Sequence, residues 1–221
     1  MRKIKSGKWI IGIDEVGRGA LAGPVTVGIF AIHSKNSKLI KSSGLTLRDS
    51  KKLSALQREV WVRHMNLWKK EGRDVYFATC SMSHKVVDKI NVAEAANKAA
   101  TRALDKLLID SAINPNNAKV FLDGGLYIKD KYLIKNRGMA RKLPKSETLI
   151  KGDENVPVIA LASILAKVTR DRKLTKLDAE YPVYKFATHK GYGTKVHIRA
   201  IKANGISDIH RLTFTKKWAN I

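Results

Sequence analysis

Four carboxylates stand at the ends of apolar runs or at the entry to a helix. Asp14 and Glu15 close the run Ile10-Ile11-Gly12-Ile13, Asp123 closes Ala118-Lys119-Val120-Phe121-Leu122, and Asp153 sits in the turn Lys151-Gly152-Asp153. Carboxylates brought together repel one another unless protons or cations intervene, and hard divalent ions with oxygen ligands are the usual remedy. If the four converge, the expectation is a Mg²⁺ or Mn²⁺ site. Mg²⁺ keeps its waters and binds phosphate well, so such a cluster in a cationic chain points to phosphodiester hydrolysis without a protein nucleophile. Successive side chains on a strand face opposite ways, so Asp14 and Glu15 serve one site only if the backbone bends there. Gly17 and Gly19 are expected to supply the bend. They also let backbone N–H groups approach a ligand, and Arg18 between them adds a donor suited to phosphate.

Asp171 competes with Asp153 for the fourth place. On a straight helix running from Pro157 it lies about 20 Å further along, at roughly 1.5 Å per residue, too far to share an ion. Asp153 also stands at the positive end of that helix. The choice is therefore Asp153, with Asp171 paired to Lys167 or Arg170. Asp49 is read as a turn residue ahead of a helix cap at Ser54.

The elements that must position these acids follow from periodicity. β-rich runs predict strands through Ile10–Asp14, Val25–Ile32, Val75–Cys80, Ala118–Asp123 and Thr148–Lys151. Ser54-Ala55-Leu56-Gln57 is a capping box opening a helix from about Ala55 to Glu71, closed by Gly72. Asn91 opens a second helix, whose apolar stripe Val92, Ala95, Ala96, Ala99, Ala103 and Leu107 is narrow enough for close packing on a sheet. A third runs from Pro157, capped by Asp153 or Asn155, and a fourth through Val196 and Ile201 to Gly205. Residues 34–43 read as a loop without periodicity, and 124–145 as a basic loop. Two strands that each end in an acid are the means by which an α/β sheet builds a site at its strand ends.

With 221 residues the chain can bury one main core. The predicted division is a catalytic core over 1–180 and a helical extension over 181–221 packed on it. Lys and Arg number 43 against 19 Asp and Glu, a formal charge of +24, spread along the whole length. That calls for a polyanionic partner, and charge alone would be met equally by an anionic membrane or ribosomal RNA. The single Cys80 excludes an internal disulfide and a cysteine-rich zinc site, and is read as buried strand packing. No apolar segment of signal-peptide kind follows the basic Met1–Lys8, and the uncharged run 19–34 is too short to span a bilayer. A cytoplasmic protein with no membrane partner is expected.

Taken in order, Asp14-Glu15-Val16-Gly17-Arg18-Gly19, Asp49-Ser50-Lys51-Lys52-Leu53-Ser54, Phe121-Leu122-Asp123-Gly124, Lys151-Gly152-Asp153, Ile164 to Asp171, and His189-Lys190-Gly191-Tyr192-Gly193-Thr194 with His197 resemble ribonuclease HII. The likeness runs from Trp9 to Leu212. Ribonuclease HIII is less similar, since it lacks the Gly17-Arg18-Gly19 tripeptide. The resemblance implies an α/β, ribonuclease H-like fold: a mixed five-stranded sheet flanked by helices, with a small helical C-terminal part. It matches the family's four acids to Asp14, Glu15, Asp123 and Asp153, as catalytic residues and metal ligands of a two-metal hydrolysis. It implies cleavage of the RNA strand of RNA–DNA hybrids and cutting 5′ of single ribonucleotides in duplex DNA, leaving 3′-hydroxyl and 5′-phosphate ends. No obligate protein partner is implied, and a monomer is expected.

By the same resemblance, Gly17, Arg18 and Gly19 grip the ribonucleotide and Tyr192 stacks near the RNA-to-DNA junction. On its own merits Tyr192 is an aromatic in a glycine loop, with packing under the C-terminal helix as the rival reading. Lys51 and Lys52 are candidates for phosphate contact or for a solvated helix approach, and Lys167 and Arg170 are further phosphate candidates. His189, His197 and His210 are read as structural hydrogen-bonding residues, none of them a metal ligand. The stretch between Asp123 and Asp153 is longer and more basic than in many bacterial relatives.

Overall fold

A computed structural model of the chain describes residues 8–47, 50–133 and 143–218; Asp49 and much of the basic loop, 134–142, lie outside the described residues. The sheet contains β1 (Trp9–Val16), β2 (Val25–His33), β3 (Val75–Met82), β4 (Ala118–Asp123) and β5 (Lys145–Leu149), in the spatial order β3-β2-β1-β4-β5. β1–β2 and β2–β3 pair antiparallel, whereas β1–β4 and β4–β5 pair parallel, which is the mixed five-stranded sheet expected. Around it lie α1 (Lys38–Ser42), α2 (Ala55–Lys70), α3 (His84–Ile90), α4 (Val92–Ser111), α5 (Gly152–Asn155), α6 (Pro157–Glu180), α7 (Phe186–His189), α8 (Lys195–Asn204) and α9 (Leu212–Thr215).

Alternation along β1 sorts the two faces of the sheet. Trp9, Ile11 and Ile13 pack with the alanine stripe of α4, Ala95, Ala96, Ala99, Ala100 and Ala103, in one buried cluster. Ile10, Gly12 and Asp14 face the other way, toward α6, where Phe30 and Ile32 of β2 meet Leu161, Ile164 and Leu165 of α6 and Trp61, Met65 and Trp68 of α2. Each large apolar side chain buried in this way contributes roughly 1.5–3 kcal/mol. The approach of α6 is set by two glycines. A Cβ at Gly12 would collide with the Val158 backbone, and one at Gly28 with the Ala162 carbonyl. Gly28 is the cross-strand partner of Asp14, so α6 lies directly over the strand position that carries that acid.

The capping box at Ser54 is present: its hydroxyl accepts from the Gln57 N–H at 3.2 Å, and the Gln57 side chain accepts from the Ser54 N–H at 2.8 Å. Other local expectations need correction. α6 is capped by Val156, without a side-chain bond, because Asp153 and Asn155 belong to the separate turn α5. The segment 34–43 contains α1, and α3 precedes the expected helix; each buries a single residue, Ile40 and Val87, too few to leave a periodic signal. Cys80 is half-buried at the sheet edge. Beyond α6 the chain folds back so that Tyr184, Phe186, Ile201 and Ile209 cluster with Leu21, Ala22 and Leu174. No helix among the described residues is long and apolar enough to cross a membrane.

Candidate active site

β1 and β4 run parallel with Ile13 opposite Leu122, so Asp14 and Asp123, one residue further on, leave adjacent strand ends on the α6 face. Asp123 Oδ1 accepts the backbone N–H groups of Gly152 at 2.7 Å and Asp153 at 3.4 Å, which draws α5 over the strand ends. Lys151, at φ 54° in the left-handed region, turns the chain from β5 into α5. One ligand oxygen from each of Asp14, Asp123 and Asp153 lies within 4.8 Å of the others. Asp14 is 4% and Asp153 7% exposed. Burial, then the neighbouring charges of Glu15 and Asp123, hold the Asp14 carboxyl well above the usual carboxylate range, against the lowering effect of a Ser163 hydrogen bond.

Glu15 is not among the acids whose oxygens lie within 4.8 Å of one another. β1 continues to Val16, with Glu15 opposite Val27, and the Glu15 carboxyl stays near enough for its charge to raise Asp14 and for Asp123 to raise it in turn. Arg18 Nε donates to Glu15 Oε1, and the same guanidinium donates to the Gly125 carbonyl at 2.8 Å. Glu15 Oε2 is buried with no hydrogen-bond partner among the described residues. Burial raises this carboxyl too, with Arg18 opposing.

The glycine loop is shaped by two different needs. Gly17 adopts φ 92° and lies against the Arg170 side chain, where a Cβ would collide with the guanidinium, whereas a Cβ at the exposed Gly19 would meet nothing within 4 Å. Packing therefore requires glycine at 17 and leaves 19 open to an incoming group. Lys51 reaches Asp153 at 3.7 Å and Lys52 reaches Glu154 at 3.8 Å, so the lysine turn is directed at the acids. Lys167 bonds Asp171 at 2.9 Å, as anticipated, and Arg58 adds a contact at 3.9 Å, which leaves Asp171 occupied outside the aspartate triad.

Arg170 is corrected from phosphate contact to buried clamp. Its side chain is fully buried and donates to the carbonyls of Pro24 at 2.8 Å, Ala22 at 3.1 Å and Lys190 at 2.8 Å. Tyr192 is half-buried with its ring 5.3 Å from the Arg170 guanidinium carbon and 6.0 Å from Lys167 Nζ. A residue absent from the sequence reading, Arg211, makes the matching contacts: fully buried, it donates to the carbonyls of Gly23 at 3.1 Å and Arg18 at 2.8 Å. With Leu21 and Ala22 N–H both on the Gly191 carbonyl, the two arginines lock the loop of residues 18–24 to the Tyr192 loop. Nothing distinguishes Arg211 in a sequence with 43 basic residues.

The histidines are structural, as read. His197 Nδ1 meets the Tyr192 carbonyl at 2.9 Å, so it carries the proton and Nε2 accepts; His210 Nδ1 accepts from Ser207 N–H at 2.9 Å, so its Nε2 donates to His197 Nε2 at 3.1 Å. A second proton on either ring would set N–H against N–H. Burial, aided by the neighbouring histidines, lowers both to about 4 from 6.5. Because the unfolded chain then binds more protons between about pH 6.5 and 4, stability is full above that window and lost as pH falls through it. Between pH 7 and 5 the pair should cost on the order of 3 kcal/mol, read from urea midpoints. About half of this decline, the His197 share, should vanish in His197→Gln; an unchanged slope would contradict the tautomer assignment.

Comparison with known proteins places this geometry among nucleases. The family profile described as ribonuclease HII matches residues 11–217. Ribonuclease HII of Coxiella burnetii (strain Dugway 5J108-111) is 40% identical over 213 residues, covering 96% of this chain and 91% of that protein. The ribonuclease H2 of Pyrococcus horikoshii OT3 superposes with a TM-score of 0.70 over 96% of this chain and 97% of its own, at 24% identity. Bst-RNase HIII in complex with Mn²⁺ does so with a TM-score of 0.66 over 96% and 70%, at 20% identity. These two structures share the fold.

Proposed function

The chain belongs to the ribonuclease HII family and is an endoribonuclease of ribonuclease H type, and from that premise we propose that it hydrolyses the RNA strand of RNA–DNA hybrids and cuts 5′ of single ribonucleotides in duplex DNA, leaving 3′-hydroxyl and 5′-phosphate ends. The carrying observation is the convergence of Asp14, Asp123 and Asp153 beside the open glycine loop. The donor set suits a hard divalent cation: every ligand atom is a carboxylate oxygen, the buried Asp14 has crowded acids for neighbours, and Glu15 Oε2 is buried without a partner among the described residues. Asp14, Asp123 and Asp153 would hold Mg²⁺ or Mn²⁺, with Glu15 as the fourth acid we assign. Such ions supply an activated water for in-line attack on phosphorus and charge to steady the departing 3′ oxygen.

The chain's own groups do the rest. The N–H bonds from α5 keep Asp123 facing Asp14. Lys51 and Lys52 bring positive charge to the phosphate beside them. The main chain of Gly17, Arg18 and Gly19, held rigid by Arg170 and Arg211, offers donors and acceptors to the 2′-hydroxyl that separates RNA from DNA. Tyr192, braced over Arg170, stacks at the RNA–DNA junction. We place this activity in the cytoplasm, in a monomer.

The deciding assay uses a duplex with one embedded ribonucleotide, with Mg²⁺ or Mn²⁺ and then with a chelator. Cutting that survives chelation refutes the metal mechanism, and binding without cutting under either metal favours a purely binding protein. Tyr192→Ala should lower single-ribonucleotide cleavage by about 10- to 100-fold, the stacking of one base, and long-hybrid cleavage by less. Equal loss on both substrates would count against the junction role.

A further inference from the structure

Ser163 and Ser50 are two buried hydroxyls at the site to which the proposed chemistry gives no part. Ser163 follows Ala162, whose carbonyl seats on Gly28, the cross-strand partner of Asp14. That placement sets its hydroxyl beside the Asp14 carboxyl, whose ionised form it favours. Behind it, Ser50 Oγ lies 2.8 Å from Ser163 Oγ, and the two residues are 3% and 6% exposed. With Asp14 ionised, as a metal ligand must be, its carboxylate only accepts, so Ser163 gives its one proton toward Asp14 and Ser50 donates to Ser163. Ser50 is itself fixed: Arg58 donates to the carbonyls of Ser50 at 2.8 Å and Leu53 at 2.6 Å. The next two residues of the same turn are Lys51 and Lys52, which reach Asp153 and Glu154. One three-residue turn thus reaches Asp153 directly and Asp14 only through Ser163.

We infer that Ser163 is a positioning residue for Asp14, with Ser50 acting through it: the hydroxyl pair holds the Asp14 carboxylate in the orientation that converges with Asp123 and Asp153. The inference rests on the metal reading proposed above. Two buried hydroxyls left without partners would each be costly, and here each is satisfied through the other, in a line that ends on a candidate ligand. Outer partners of this kind orient metal ligands, and their removal typically weakens metal affinity by about 10- to 100-fold.

The test is Mn²⁺ affinity of the full chain without nucleic acid, from the electron paramagnetic resonance signal of free Mn²⁺. Wild type, Ser163→Ala, Ser50→Ala and the double variant are compared. Ser163→Ala should weaken Mn²⁺ binding about 10-fold or more. Ser50→Ala should weaken it by less, and the double variant should be no weaker than Ser163→Ala, because Ser50 has no other route to Asp14. Wild-type affinity in Ser163→Ala, or independent losses that multiply in the double variant, would overturn the inference. If Ser163→Ala fails to fold, Ser50→Ala decides alone, since it touches no acid and must still lose affinity. Asp14→Asn keeps the two possible failures apart: unaltered Mn²⁺ affinity there would sink the metal site itself.

Discussion

Asp14→Asn should lower turnover by about a thousandfold or more while leaving affinity for an RNA–DNA hybrid within about twofold of wild type. The change removes one charge and one strong oxygen ligand from a site whose three aspartates lie within 4.8 Å, and adds nothing where the duplex would rest. Metal assistance contributes several kcal/mol of transition-state stabilisation, and each 1.36 kcal/mol is tenfold in rate, which sets the scale. Asp123→Asn should behave alike and also slacken α5, whose N–H groups rest on Asp123 Oδ1. Single-turnover cleavage and hybrid affinity, measured on the same preparations, decide. A variant that binds poorly in proportion to its lost activity would mean that these acids shape the binding surface instead of the reaction.

The second large effect concerns stability. Arg170→Met should destabilise the protein by about 3 kcal/mol, because it leaves the carbonyls of Ala22, Pro24 and Lys190 without their donor, at roughly 1–3 kcal/mol for each buried unsatisfied group. Relief from burying a guanidinium, whose ionisation burial already disfavours, offsets part of the sum. For a chain of this size the unfolding temperature should fall by about 6–12 °C. Arg170→Lys keeps the charge but loses the three-way fork, and should recover only part of the loss. If Arg170→Met instead left the unfolding temperature unchanged and flattened the salt dependence of hybrid binding, Arg170 would be a phosphate contact after all.

Asp14 and Asp123 announce themselves because an apolar strand ending in an acid is a local pattern, and two such strands in parallel must present their acids together. The sheet and the two flanking helices were readable for the same reason: periodicity is local, and the alanine stripe of α4 records how near the sheet it lies. The direction of Glu15 is not legible locally, because it depends on whether β1 bends or runs on, and pairing with β2 carries the strand to Val16. Arg170 and Arg211 are indistinguishable in sequence from the exposed cations around them; only the fold reveals that their partners are carbonyls of residues 18–24 and Lys190. Ser50 and Ser163 lie 113 residues apart, and no local signal joins them.

The central claim is that Asp14, Asp123 and Asp153 together hold a divalent cation. Crystals grown with Mn²⁺ and measured at the manganese absorption edge test it directly. An anomalous peak is expected between these three carboxylates, lost in Asp14→Asn crystals grown alike. A peak elsewhere, or none between the acids at a Mn²⁺ concentration that supports cleavage, would contradict it.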